Sequence, residues 1–239
     1  MRRIRITVAY DGTAYHGWQV QPELETIQGV LERVVAEIEG GAVSVHGSGR
    51  TDAGVHALAQ VAAFDLNNPI PAENLRRAMN RLLPRDIRVL QCAEAAPDFH
   101  PRFQARRKAY EYRIWREEIC PPFERLYVCH HPYPLDEEKM TVAAGVFEGE
   151  HDFTAYAAAD EKDERGGSNV RRVFYSALER RGPLLVYRVC GSGFLKHMVR
   201  LMVGALVEVG KGNLASPGFD QKAGRAMPAS GLFLVSVEY

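Results

Sequence analysis

Gly47-Ser48-Gly49-Arg50-Thr51-Asp52-Ala53-Gly54-Val55-His56-Ala57 sets one carboxylate, Asp52, in a glycine-rich loop two residues after an arginine. The loop lies between two apolar runs, Ala42 to His46 and Leu58 to Phe64, that read as strands. Working outward, Arg3-Ile4-Arg5-Ile6-Thr7-Val8 alternates with period two and predicts a strand. Thr26 sits where a helix N-cap is wanted, and Ile27, Val30, Leu31, Val34, Val35 and Ile38 recur at helical spacing up to Gly40-Gly41. Beyond the loop, Pro71 suits a first helical turn, Leu75, Met79 and Leu82 continue that helix to Pro84, and Ile87 to Leu90 predicts a further strand. The order strand, helix, strand, strand, helix, strand is that of a ferredoxin-like unit.

The second half repeats the order without repeating the sequence. Ala109 to Trp115 predicts a strand with Tyr110, Tyr112 and Ile114 on one face. Asp136 suits the cap of a helix running to about Phe147. Arg172 to Leu178 and Leu184 to Cys190 read as a strand pair turning at Arg181-Gly182-Pro183. Met198, Leu201, Met202, Ala205, Leu206 and Val209 form a strong helical stripe, and Leu232 to Val237 closes the pattern. The expected fold is therefore α+β: two ferredoxin-like (βαββαβ) halves, mainly antiparallel, over residues 1–100 and 105–239. Glu117 to Pro134 reads as an irregular excursion, and the polar stretch Ala157 to Ser168 as a mobile loop.

Composition bounds the function. A chain of 239 residues with a 46% hydrophobic fraction can build a substantial core. No segment reaches the roughly 20 apolar residues that span a bilayer, and Met1 to Ile6 leads into alternation rather than a signal-peptide block. Cys92, Cys120, Cys129 and Cys190 form no Cys-x-x-Cys pair and are expected as free thiols in a reducing cytoplasm. The formal net charge of zero argues against nucleic-acid binding through bulk positive charge. Yet 24 of the 30 basic residues are arginine, the better side chain for forked phosphate contacts. They cluster at Arg76, Arg77, Arg81, Arg85 and Arg88, at Arg102, Arg106, Arg107 and Lys108, and at Arg171 and Arg172, as a channel for phosphates requires. The histidines lack His-x-x-x-His spacing, so no metal is expected, and no dinucleotide or phosphate-loop fingerprint calls for a cofactor.

Gly49-Arg50-Thr51-Asp52-Ala53-Gly54-Val55-His56-Ala57 resembles the catalytic loop of the tRNA pseudouridine synthase A family. Further stretches resemble that family in its own order: Tyr10-Asp11-Gly12-Thr13 through Gly17-Trp18-Gln19, Arg107 to Tyr112, Gly193-Phe194 through Arg200, and Gly231-Leu232-Phe233-Leu234 through Tyr239. The resemblance implies a cleft between the two halves and an isomerase that turns uridine into pseudouridine at positions 38, 39 and 40 of the tRNA anticodon stem-loop. It implies a cytoplasmic homodimer without cofactor.

It also implies Asp52 as the catalytic carboxylate, Arg200 as its ion-pair partner, Arg50 holding the flipped RNA, Tyr110 stacking on the uracil and Leu232 in the apolar wall. A free aspartate ionises near about 3.9; burial beside a flipped base would oppose that charge, and an arginine would offset the burial. One carboxylate can act as nucleophile at the ribose C1′ or as base at C2′, and both roles fit. A hydrolase of glycosidic bonds would want a second carboxylate, and none lies in the loop. A non-enzymatic RNA-binding module lacks its aromatic signature here, and Thr51-Asp52-Ala53-Gly54 differs from the aspartic-protease triplet.

Overall fold

The computed structural model describes residues 1–158, 168–220 and 222–239. The chain divides into two compact units, Met1–Arg106 with Leu234–Tyr239, and Arg107–Phe233. Leu234–Tyr239, expected in the second half, join the first unit.

The first unit contains β1 (Arg2–Tyr10), α1 (Ile27–Glu39), β2 (His46–Gly47), β3 (His56–Leu66), α2 (Ala72–Leu82) and β4 (Ile87–Glu94). Its strands run β4–β1–β3, with the short β2 antiparallel on β3. Both β1 pairings are antiparallel. Alternation along β1 turns Ile4, Ile6, Val8 and Tyr10 inward, where they meet the buried stripe Ile27, Val30, Leu31, Val34 and Val35 of α1 and Leu75 and Met79 of α2. Leu82, counted in that stripe from spacing, is exposed.

Thr26 caps α1, its hydroxyl accepting from the Gly29 N–H at 3.3 Å. Gly40, at φ 80°, ends the helix in the left-handed conformation that glycine adopts most readily. Thr26→Ala is expected to lower stability by about 1 kcal/mol in urea unfolding.

From Gln60 to Phe64, β3 is buried on both faces. Val61 and Ala63 pack on Phe99, with Tyr239 and Val237 beside them. The Tyr239 hydroxyl donates to the Pro101 carbonyl at 2.8 Å, and the Arg5 guanidinium lies 4.6 Å from its ring centre. These contacts explain why the C-terminal residues belong to this unit. They also explain why the run Val61 to Phe64 is apolar rather than alternating.

The strand expected over Ala42 to His46 is shorter than its sequence suggests, spanning His46–Gly47. Val45 donates its N–H to Glu32 Oε1 at 3.0 Å, and its carbonyl accepts from Gln28 Nε2 at 3.1 Å. With both backbone groups engaged by α1 side chains, pairing begins only at His46.

The second unit contains β5 (Arg107–Trp115), β6 (Cys129–His130), α3 (Glu137–Ala144), β7 (Gly149–Asp152), β8 (Val170–Arg181), β9 (Leu184–Gly191) and α4 (Met198–Gly210). The strand order is β5–β9–β8–β7, antiparallel throughout, with β6 parallel on β5. Strand β10 (Leu232–Glu238) starts here and ends in the first unit. β5, α3, β8, β9 and α4 follow the order of a ferredoxin-like unit, with β6 and β7 added.

Tyr112, Ile114, Leu178, Leu185 and Tyr187 are buried on one sheet face, and almost all of α4 is buried with them. Asp136 caps α3 through the Lys139 N–H at 3.0 Å. The helix expected to run to Phe147 tightens into a 3-10 turn over its last residues, Gly145–Phe147. Most of the stretch Ala157 to Ser168 lies outside the described residues. Among the described residues the four cysteines are free thiols, and no helix is long and apolar enough to cross a membrane.

Candidate active site

Asp52 lies on the loop that joins β2 to β3. Thr51 is buried, while Arg50 before it is exposed and Asp52 after it is half-buried. The Thr51 hydroxyl shares a hydrogen bond with the Tyr10 hydroxyl at 2.8 Å, and its carbonyl accepts from the Trp18 N–H at 3.0 Å. The Asp52 carbonyl accepts from the Val55 N–H at 3.1 Å, closing a tight turn, and the Gly54 N–H donates to the Tyr15 carbonyl at 3.2 Å. Where the chain enters the loop, buried Gln60 of β3 accepts from the Ser48 hydroxyl and donates to the Gly49 carbonyl at 3.0 Å. Each turn of this loop is therefore tied to rigid neighbours, so its single carboxylate is held in a fixed place.

Segment 11–19 supplies two of those ties, through Tyr15 and Trp18, and adds more. The Gly12 N–H donates to His56 Nδ1 at 3.1 Å, and Asp11 Oδ1 lies 3.2 Å from the same nitrogen. A side chain at Gly12 would place its Cβ 2.0 Å from the Val55 carbonyl oxygen. At Gly17, φ is +88° and a Cβ would stand 2.5 Å from the Thr51 oxygen. Both glycines let one backbone lie directly against the other. Burial pushes the Tyr10 hydroxyl well above its ordinary pKa, with the Thr51 bond working the other way. It stays a neutral hydrogen-bonding group near pH 7. Tyr15 is anchored by its hydroxyl, which donates to Asp86 Oδ1 at 2.8 Å. Arg50 donates from Nε to Gln19 Oε1 at 3.2 Å, so its guanidinium is steered by the same segment.

Tyr110, Arg200 and Leu232 are in the second unit. Tyr110 is buried on β5 opposite Val189, its ring meeting the Phe194 ring edge-on at 5.0 Å between centres. Arg200 lies in the first turn of α4, just after His197, whose φ of 62° bends the chain into the helix. Its Nε donates to the Met227 carbonyl at 2.6 Å, and the Met227 N–H donates back to the Arg200 carbonyl at 3.1 Å. Tyr112 donates from its hydroxyl to the Pro228 carbonyl at 2.7 Å. A Cβ at Gly231 would stand 2.7 Å from the Tyr112 ring. These ties fix the chain from Met227 to Gly231 and deliver Leu232, buried, at the start of β10.

The structure thus gathers Asp52 and Arg50 on one loop of the first unit and holds Tyr110, Arg200 and Leu232 in the second. Sequence reasoning gave no role to Gln60, His56, Phe194 or Met227. Gln60 carried a signal: a lone amide within an apolar strand must find partners when buried. Met227 carried none, since it acts through its backbone. Among the described residues no group of His, Cys, Asp and Glu is arranged to hold a metal ion.

A family model described as tRNA pseudouridine synthase matches residues 6–104 and 143–239. A tRNA pseudouridine synthase A of Solibacter usitatus (strain Ellin6076) is 62% identical over 240 residues, covering all of both chains. Its counterpart in Limosilactobacillus fermentum (strain NBRC 3956 / LMG 18251) is 45% identical over 253 residues, covering all of this chain and 96% of its own. Another, from Geobacter sp. (strain M21), is 42% identical over 248 residues, covering 100% and 99%. Among solved structures, a chain in the crystal structure of the archaeal box H/ACA sRNP Nop10-Cbf5 complex aligns with 85% of this chain and 53% of its own, at 15% identity and a TM-score of 0.35, a likeness too slight to carry an argument. Two matched segments that include Asp52, Arg200 and Leu232, together with relatives similar from end to end, lead to one conclusion: the chain belongs to the tRNA pseudouridine synthase family.

Proposed function

We propose that this isomerase converts uridine to pseudouridine at positions 38, 39 and 40 of the tRNA anticodon stem-loop, with Asp52 as its catalytic carboxylate. The observation that supports the assignment is the clamping of the Asp52 loop by segment 11–19 and Gln60. A lone carboxylate on a rigid loop suits a reaction that needs one group at the ribose and no redox partner.

The reaction breaks the bond from uracil N1 to ribose C1′, turns the base, and joins C5 to C1′. Asp52 either attacks C1′ or removes the C2′ proton; each route begins with one ionised carboxylate. The C5 hydrogen then leaves as a proton, and N1 gains one. Tyr110 stacks on the uracil and offers its hydroxyl to the departing C5 proton. Arg200 supplies the countercharge for Asp52, and Leu232 contributes apolar wall. The protein works in this reading as a cytoplasmic homodimer on tRNA.

Arg50 fills the place the flipped nucleotide leaves, where unstacking costs a few kcal/mol. Arg50→Ala is expected to slow turnover about 100-fold while stability changes by about 0.5 kcal/mol or less. Steady-state kinetics and urea unfolding of the same preparation check both halves of that statement.

The assignment of position is tested with transcripts tritiated at uridine C5. A transcript with uridines at 38 to 40 should lose tritium to water on incubation with the protein. One with cytidines at those positions should keep it. Equal release from both would refute the assignment.

A further inference from the structure

Strand β8 carries a bulge. Val173 pairs with Gly191 and Tyr175 pairs with Cys190, so Phe174 is the extra residue and has no partner across the ladder. Phe174 is 38% exposed. The Arg107 guanidinium lies 4.9 Å from the ring centre and that of Arg172 lies 5.9 Å away. Two of the basic clusters seen in the sequence, far apart along the chain, thus meet at one exposed aromatic side chain. Among the described residues neither guanidinium forms an ion pair; Glu150 faces Arg172 in the strand register without joining it. Among the described residues, then, no carboxylate neutralises either cation, and Phe174 keeps part of its surface open beside them.

The position is as informative as the composition. Gly191, which pairs with Val173, also pairs with Lys108 on β5. Its Cα lies so near the Phe194 ring that a Cβ would stand 3.1 Å from it, and Phe194 packs edge-on against Tyr110. The Arg107–Phe174–Arg172 group therefore sits at the end of the sheet that carries Tyr110.

We infer that Phe174 is a stacking platform for one unpaired base of the bound tRNA, with the Arg107 and Arg172 guanidiniums on the phosphates beside it. Every base offers a π-face, so the contact is tolerant of sequence. The guanidiniums make it specific for a strand with phosphates at base spacing. A bulge is a common device for aiming one side chain out of a sheet, and here it lifts an aromatic ring to where it packs no core. The inference rests on the tRNA reading above and adds a recognition element outside its proposed reacting residues.

The test uses the full chain and an unmodified tRNA transcript, with binding measured across a salt series. Phe174→Leu keeps apolar bulk and removes the ring. It should weaken binding roughly tenfold or more with little change in the salt slope. Phe174→Trp should restore the affinity. Arg107→Gln and Arg172→Gln should each lower the slope of log affinity against log salt by about one. Unaltered affinity in folded Phe174→Leu, or equal weakness in Phe174→Trp, would overturn the stacking role. If the wild type modifies tRNA while Phe174→Leu binds normally, this inference alone fails. If the wild type neither binds nor modifies tRNA, the tRNA reading fails and the inference falls with it.

Discussion

Asp52→Asn is expected to abolish pseudouridine formation, with the single-turnover rate reduced by roughly four orders of magnitude or more, the scale on which loss of a catalytic side chain acts. Asparagine matches aspartate in size and keeps the backbone bond from the Val55 N–H to the residue 52 carbonyl. It cannot act as nucleophile at C1′ or as base at C2′, so both routes stop. The side chain is half-buried on a loop, so stability should change by about 0.5 kcal/mol or less. Release of C5 tritium under single-turnover conditions measures the rate, and urea unfolding confirms that the fold is unchanged. A variant that is both folded and active within tenfold of wild type would remove Asp52 from the mechanism.

Gly12→Ala is expected to lower stability by about 3 kcal/mol and activity by about 100-fold. The added methyl would lie 2.0 Å from the Val55 oxygen and 2.6 Å from its carbonyl carbon. Both are backbone atoms, which cannot rotate aside as a flexible side chain can. Segment 11–19 must therefore move away from the Asp52 loop, and the Gly12–His56 bond is stretched or lost. A displacement of about 1 Å in a catalytic loop is enough to cost 100-fold in rate. Gly41→Ala serves as the control, since a Cβ there meets nothing within 4 Å. Urea unfolding and the tritium assay on both variants measure the two effects; a neutral Gly12→Ala would show that the contact between segment 11–19 and the loop is dispensable.

Local pattern made much of the fold legible. The alternation of β1, the Thr26-capped stripe of α1 and the apolar stripe of α4 each report on residues within a few positions of one another, where side-chain geometry acts directly. Local pattern failed where distant groups decided the outcome. Val43 to Val45 has strand composition, yet Glu32 and Gln28 take the backbone groups of Val45. Leu234–Tyr239 reads as one more strand of the second half, yet Phe99, Arg5 and Pro101 bind Tyr239 in the first unit. No period in the sequence encodes such contacts.

The site divides in the same way. Asp52, Arg50 and the glycines around them form one continuous string whose chemistry is readable from residue type. The supports are scattered: Tyr15 and Trp18 before the loop, Gln60 after it, and Met227 far along the chain acting through its carbonyl on Arg200. The bulge at Phe174 is likewise a property of pairing between β8 and β9, so the residue read from its composition as ordinary strand.

The central claim is that Asp52 makes pseudouridine in the anticodon arm. Its most direct test incubates one unmodified tRNA transcript with the wild type and with Asp52→Asn, then maps pseudouridine by carbodiimide treatment and reverse transcription. The account predicts stops at positions 38 to 40 with the wild type and none with the variant. No stops with a folded wild type, stops confined to another part of the tRNA, or equal stops with both proteins would contradict it.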